Sequence, residues 1–226
     1  MSRFGEKWHD HVQRIEQDWR SKVTPDDVVL VLGDLSCAST YKVVQPDLAW
    51  LGNLPGRKVM VRGNHDRWWR DIAEVRRMML PDSVYALQGD AINMEGIILC
   101  GAQGHVAPHD PYYRPDPPAN RYERELNTLQ SALQSAAAIR QPDQALIVMM
   151  HYPPFTSEGK PTIYSELIEQ HAPALCLYGH LHKEHEWAVA VQGRHMGIEY
   201  RLLASDFVGM MLQHIFKIER PEHARY

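Results

Sequence analysis

Asp34, Asn64, His65, Asp66, His151, His180 and His182 are the residues of this chain whose types and spacing can do chemistry. They fall in four short polar motifs: Gly33-Asp34, Gly63-Asn64-His65-Asp66, His151 and Gly179-His180-Leu181-His182. Asp34 follows a glycine, so its carboxylate can project from a tight turn where its oxygens could bridge two cations. Asn64 offers a neutral carbonyl oxygen, His65 a titratable imidazole, and Asp66 a carboxylate able to orient that ring or a neighbouring one. His180 and His182 are two apart, a spacing that on a regular strand sends the rings to opposite faces. Gly179 permits a turn in which both rings converge. His151 precedes Tyr152-Pro153-Pro154, which stops the strand and fixes the chain just past the ring. Gly-Asp alone, or a histidine before prolines, says little. Beside GNHD and GHxH, they complete a set of oxygen and nitrogen donors of the kind that binds divalent metal ions.

Each motif directly follows an apolar run: Val28 to Leu32, Val59 to Val61, Leu146 to Met150 and Leu175 to Tyr178. These runs are short, partly β-branched and read as buried strands, so the donors sit at strand ends. Phe4, Trp8, Val12, Ile15 and Trp19 recur at helical spacing and predict an opening amphipathic helix. Further helices are predicted at Asp47 to Leu54, beginning near Pro46, and at Trp68 to Met79, Arg121 to Arg140 and Ile163 to His171. Strands are predicted at Val84 to Leu87, Ala91 to Met94 and Ile97 to Cys100, the last two joined as a hairpin across Glu95-Gly96. The tail from Glu186 to Ile218 alternates strand patterns with turns and has no long helical period. The result is one mixed α/β domain over residues 1–226, with the motif loops gathered along one edge. Gly104 to Asn120 is Pro-rich and irregular. Its His105, His109, Tyr112, Tyr113 and Arg114 line a substrate entrance, or else the segment is a surface loop stiffened by proline.

With 226 residues, 44% of them hydrophobic, the chain has enough apolar material for one sizeable core. A net charge of −4 gives no electrostatic case for a nucleic-acid or membrane partner, so a phosphate would have to be attracted locally. No apolar stretch resembles a signal peptide or membrane span, which leads to the expectation of a cytoplasmic protein. Cys37, Cys100 and Cys176 are odd in number and scattered, as expected of reduced, mostly buried thiols.

The ordered set GD, GNHD, H and GHxH resembles the calcineurin-like metallophosphoesterase superfamily. FGEKW near the start, RGNHDRWW at Arg62 to Trp69 and YERELNTLQSAL at Tyr122 to Leu133 are similar to a bacterial predicted phosphohydrolase group within it. The resemblance implies a four-layer sandwich of two mixed β-sheets flanked by helices. It makes Asp34 a bridging carboxylate, with Asn64, His151 and His180 completing one metal site and His182 serving the other. His65 would stabilise the transition state or protonate the leaving oxygen, with Asp66 as its partner. Two cations, from among Mn, Fe, Zn and Ni, would bind the phosphate and lower the pKa of a bridging water for in-line attack. The substrate would be a small phosphorylated molecule, as a mono- or diester. Arg62 and Arg67 are read as solvated side chains.

The superfamily's first motif, Asp-x-His on an amino-terminal strand, has no counterpart upstream of Asp34. The expectations are therefore a missing first strand beside Val28 to Leu32, a weaker second metal site, and a start codon assigned too late. His9, Asp10 and His11, in the predicted first helix, supply at most one ligand between them, and His105 or His109 are alternative substitutes. A degenerate member, retaining the fold as a metal-binding scaffold or interaction module, is the competing reading. Turnover of a generic aryl phosphate with added Mn separates the two.

Overall fold

The computed structural model describes residues 5–217 except residues 79 and 118, so Phe4, Met79, Ile218 and His223 lie outside the described residues. Alternation along the strands decides the layers. In β2 (Arg57–Val61), Val59 and Val61 face one core and Met60 another. In β5 (Ile97–Ala102), Ile98 and Cys100 face away from Leu99, and in β6 (Leu146–Met150) Leu146, Val148 and Met150 face away from Ile147 and Met149. Val59, Val61, Leu99, Ile147 and Met149 thus meet between two sheets, joined by Leu177 of β7 (Leu175–Tyr178). Helices cover the outer faces. Trp19 of α1 (His11–Lys22), Leu48 and Leu51 of α2 (Tyr41–Gly52) and Val75 of α3 (Ile72–Met78) pack on the smaller sheet, while Leu129 and Leu133 of α4 (Arg121–Ile139) and Ile168 of α5 (Ile163–Gln170) pack on the larger. This is the expected four-layer sandwich.

The smaller sheet has the order β1-β2-β3, with β1 at Val28–Val31 and β3 at Val84–Leu87, and is parallel throughout. The larger is mixed. Its order is β4-β5-β6-β7-β9-β8, with antiparallel pairs at both edges and β4 at Ala91–Met94, β8 at Gly193–His195 and β9 at Ile198–Leu202. Parallel neighbours need crossover connections, which α2, α3, α4 and α5 supply for the pairs β1–β2, β2–β3, β5–β6 and β6–β7. Glu95 and Gly96, with φ of 54° and 88°, make the expected tight turn between β4 and β5. The segment from Gly104 to Asn120 has neither helix nor strand among its described residues. Among the described residues no helix is long and apolar enough to cross a membrane.

Several boundaries differ from expectation. The opening segment is not one helix: a 3₁₀ turn at Glu6–Trp8 is separated from α1 by Asp10, whose φ of 49° breaks the helical path. His9, Asp10 and His11 therefore sit at a break rather than in mid-helix. Pro46 does not begin α2 but lies inside it, because the chain turns helical after Thr40 and places Val44, Leu48 and Leu51 on one buried face. Trp68 and Trp69 precede α3 as core side chains, 2% and 0% exposed. The tail also holds a short helix, α6 (Glu184–Val189). Cys37 is exposed, whereas Cys100 and Cys176 are buried, and all three are free.

β1 is an outer strand, and its four residues are all half-buried. A cavity of about 880 Å³ runs alongside it, lined by Ile15, Trp19, Leu30, Leu32, Leu203 and Leu212, with Asp34, His65, His180 and His182 also on its wall.

The loops after β1 and β2 touch backbone to backbone. A Cβ on Gly33 would lie 2.6 Å from the Gly63 nitrogen, and one on Gly63 would lie 2.1 Å from Asp34 Oδ1. Gly33 also has a φ of 91°, a conformation glycine adopts without steric penalty. Asp66 holds the crossing from within. Its Oδ2 accepts the Asp34 and Gly63 amides, both at 2.8 Å, and its Oδ1 accepts the Ser36 amide and the Trp68 indole Nε1, both at 3.1 Å. Burial pushes this carboxyl up to about 6, against the pull of the Gly63 and Ser36 amides. It is ionised at neutral pH, with two donors on each oxygen. Asp66→Asn would turn an NH₂ group against one of those donor pairs. Leaving two buried donors unpaired costs roughly 2–6 kcal/mol, and a matching fall in the urea unfolding midpoint is the expected result. An unchanged midpoint would show that Asp66 does not hold the crossing.

Candidate metal centre

His151 is the hub of the site. It follows β6, is 2% exposed, and its Nδ1 lies 2.8 Å from the Leu32 carbonyl oxygen beyond β1. A carbonyl only accepts, so Nδ1 carries the proton and Nε2 presents a lone pair. Asn64 Oδ1 stands 2.8 Å from that Nε2, His180 Nδ1 3.1 Å and Asp34 Oδ2 3.6 Å. Burial holds His151 below the usual histidine range against the opposing effect of Asp34, and burial with the neighbouring His151 and His182 pushes His180 down to about 2. Both rings are neutral at physiological pH, the form in which imidazole binds metal.

Converging lone pairs repel unless a cation or proton lies between them, and here the Asn64 oxygen and the His151 Nε2 face each other. Ligands about 2.1 Å from one metal stand roughly 3.0 Å apart at octahedral angles and about 3.4 Å apart at tetrahedral ones. The distances around His151 Nε2 are of this size, so the donor set fits a divalent cation. It relies on the Asn64 oxygen: among the described residues no group of three or more His, Cys, Asp or Glu side chains is disposed to hold a metal ion.

Local backbone geometry aims these donors. Asp34 has a φ of 56° and His180 one of 68°, conformations uncommon outside glycine that concentrate at functional sites. The expectation that Gly179 makes the GHxH turn is corrected. Gly179 still pairs with the neighbouring strand end, donating to the His151 carbonyl at 3.1 Å, and the turn centres on His180, across which Leu181 N–H donates to the Gly179 carbonyl at 2.8 Å. The Tyr152 ring lies over that of His180, with centroids 3.9 Å apart.

The structure brings Asp34, Asn64, His151 and His180 together and places His182 on the same cavity wall. His182 Nδ1 lies 2.9 Å from Asp206 Oδ1, its backbone N–H donates to Glu186 Oε2 at 3.2 Å, and the Trp8 ring meets its edge at 5.4 Å. His65 is exposed. Its backbone N–H donates to Asp34 Oδ1 at 2.7 Å, and none of the described hydrogen bonds joins its ring to Asp66. The expected His65–Asp66 partnership is therefore corrected: the Asp66 carboxylate turns inward because four donors from the two crossing loops already surround it.

Of the substitute ligands considered, His11 lines the cavity, with Nδ1 2.9 Å from the Trp8 carbonyl oxygen, while His9 and Asp10 are exposed. His105 packs on Tyr152 at 5.7 Å, and His109 faces the Pro161 carbonyl. Arg62 is half-buried rather than solvated, with the Glu125 charge opposing its own, whereas Arg67 is exposed. Sequence reasoning missed Asp206. It follows β9, in which Glu199 and Arg201 interrupt the apolar residues, only after Leu203-Ala204-Ser205, so no apolar run led directly into it as one does for the four motifs.

Comparison with known proteins bears on the family of the chain. The gene 66 protein of Mycobacterium phage D29 is 39% identical over 72 residues, covering 30% of this chain and 36% of the phage protein. The gene 66 protein of Mycobacterium phage L5 is 40% identical over 57 residues, covering 25% and 27%. These matches thus span about a third of one phage protein and about a quarter of the other. The profile of the calcineurin-like phosphoesterases, by contrast, matches residues 6–184, from the 3₁₀ turn before α1 to the residue just past His182 and Lys183. Together with the four-layer sandwich and the donors at its strand ends, that match makes this chain a member of the calcineurin-like phosphoesterase family.

Proposed function

We propose that the chain is a metal-dependent phosphoesterase acting on a small phosphate mono- or diester at a dinuclear site, in the cytoplasm. The observation that carries this reading is the convergence of three donor atoms on His151 Nε2. Asp34, Asn64, His151 and His180 would hold one divalent cation, and Asp34 with His182 the other, drawn from Mn, Fe, Zn or Ni. Bound cations would supply charge for the phosphate oxygens and a water of lowered pKa.

The protein's own residues do the rest. Asp34 would serve both cations: its Oδ2 faces His151, and the His65 amide donating to its Oδ1 fixes the orientation of the carboxylate. That bond fixes the His65 backbone and leaves the exposed imidazole free at the cavity wall, where it can hold a proton for the departing alkoxide. Tyr152 braces the His180 ring, and the Leu32 carbonyl keeps the His151 proton on Nδ1, away from the donor cluster.

Purified protein is expected to hydrolyse p-nitrophenyl phosphate or its bis ester only with added Mn, and to stop in EDTA. Absence of turnover in a folded, Mn-loaded protein would favour the scaffold. His65→Ala is expected to lower kcat by about 10²–10⁴ while leaving Mn content unchanged. A parallel loss of Mn would instead make His65 a ligand. Asp34→Asn is expected to reduce both Mn content and turnover, and retention of both would remove Asp34 from the site.

A further inference from the structure

The geometry points to Asp206 as a positioning residue that selects which nitrogen of His182 is offered to a cation. The cation itself rests on the phosphoesterase reading; the selection rests on the hydrogen bond. Asp206 Oδ1 lies 2.9 Å from His182 Nδ1, and the aspartate side chain is 3% exposed. The same oxygen accepts the Phe207 amide at 3.2 Å, which limits rotation of the carboxylate. Its turn is tied by Val208 N–H to the Ala204 carbonyl at 3.1 Å and Met210 N–H to the Ser205 carbonyl at 2.6 Å.

Oδ1 already accepts the Phe207 amide and so serves as an acceptor; its bond to His182 places the proton on Nδ1, and in the neutral ring the lone pair is then on Nε2. Glu186 takes the backbone N–H of His182, and the Trp8 and His182 rings meet edge-on. His182 shares the cavity wall with Asp34, and Nε2 is the ring nitrogen that Asp206 does not occupy. Asp206 thus does for His182 what the Leu32 carbonyl does for His151, and it does so from a strand end that carries none of the four motifs.

The test is the His182 tautomer in metal-free ¹⁵N-labelled protein, identified by comparison with His182→Ala, together with Mn titration of the wild type, Asp206→Leu and Asp206→Glu. Leucine removes the acceptor, and a neutral imidazole with no acceptor at Nδ1 favours the Nε2–H form. The wild type is expected to show the Nδ1–H form and Asp206→Leu a shift toward the Nε2–H form. Mn affinity at the weaker site should fall roughly 10- to 100-fold in Asp206→Leu, with partial recovery in Asp206→Glu and no change at the tighter site. A purely structural role would not move the tautomer. An Nε2–H form in the wild type, or equal Mn affinity in the wild type and Asp206→Leu, would overturn the proposal and leave the phosphoesterase reading standing. A wild type that binds no Mn at all would overturn both.

Discussion

Everything at the site depends on the contact between Gly33 and Gly63. Two strand-end loops from one parallel sheet approach until neither glycine has room for a Cβ, and the Asp66 carboxylate holds them there with four hydrogen bonds. The approach places the Asp34 carboxylate, the Asn64 amide and the Leu32 carbonyl within reach of His151 on the other sheet. A carboxylate bearing two donors on each oxygen is difficult to replace, because any neutral analogue turns a donor toward donors. The clamp and the donor cluster therefore share one loop: Asn64 faces outward toward His151 while Asp66, two residues on, faces inward.

Two histidines are governed by the same rule through different partners. The Leu32 carbonyl and the Asp206 carboxylate each take an Nδ1 proton and leave Nε2 as a donor atom. His180 differs, meeting His151 through its Nδ1, and its left-handed backbone turns the ring back across the strand end. Strain at Asp34 and His180 persists because their surroundings over-determine it, through the Asp66 clamp in one case and the Tyr152 ring in the other.

The cavity beside β1 relates the site to the core. Its apolar wall comes from α1, β1 and the segment after β9, and the candidate donors stand on the same wall. Trp8 joins them, touching both His182 and His11 with its ring edge. The amino-terminal turn is thereby coupled to the last of the four motifs.

The sequence by itself determined the strands and what stands at their ends. The apolar runs Leu146 to Met150 and Val59 to Val61 read as buried strands, the Glu95-Gly96 pair set a hairpin, and α4 was legible along nearly its whole length, because these signals are local. The donor types in the GD, GNHD, H and GHxH motifs were equally legible. Only the tertiary structure decided how the donors are used. The Leu32 carbonyl reaches His151 across 119 residues and Asp206 reaches His182 across 24, and no periodicity encodes such pairings. Asp66 read as a partner for its neighbour His65 until packing surrounded it with donors from another loop. The break at Asp10 and the helix running through Pro46 were also misread: no local signal marked the left-handed backbone of Asp10, and burial of Val44, Leu48 and Leu51 outweighed the preference of proline for a helix start. Residue type fixes which groups can bind or donate; the hydrogen-bond partner, set by packing, fixes which atom is left to do so.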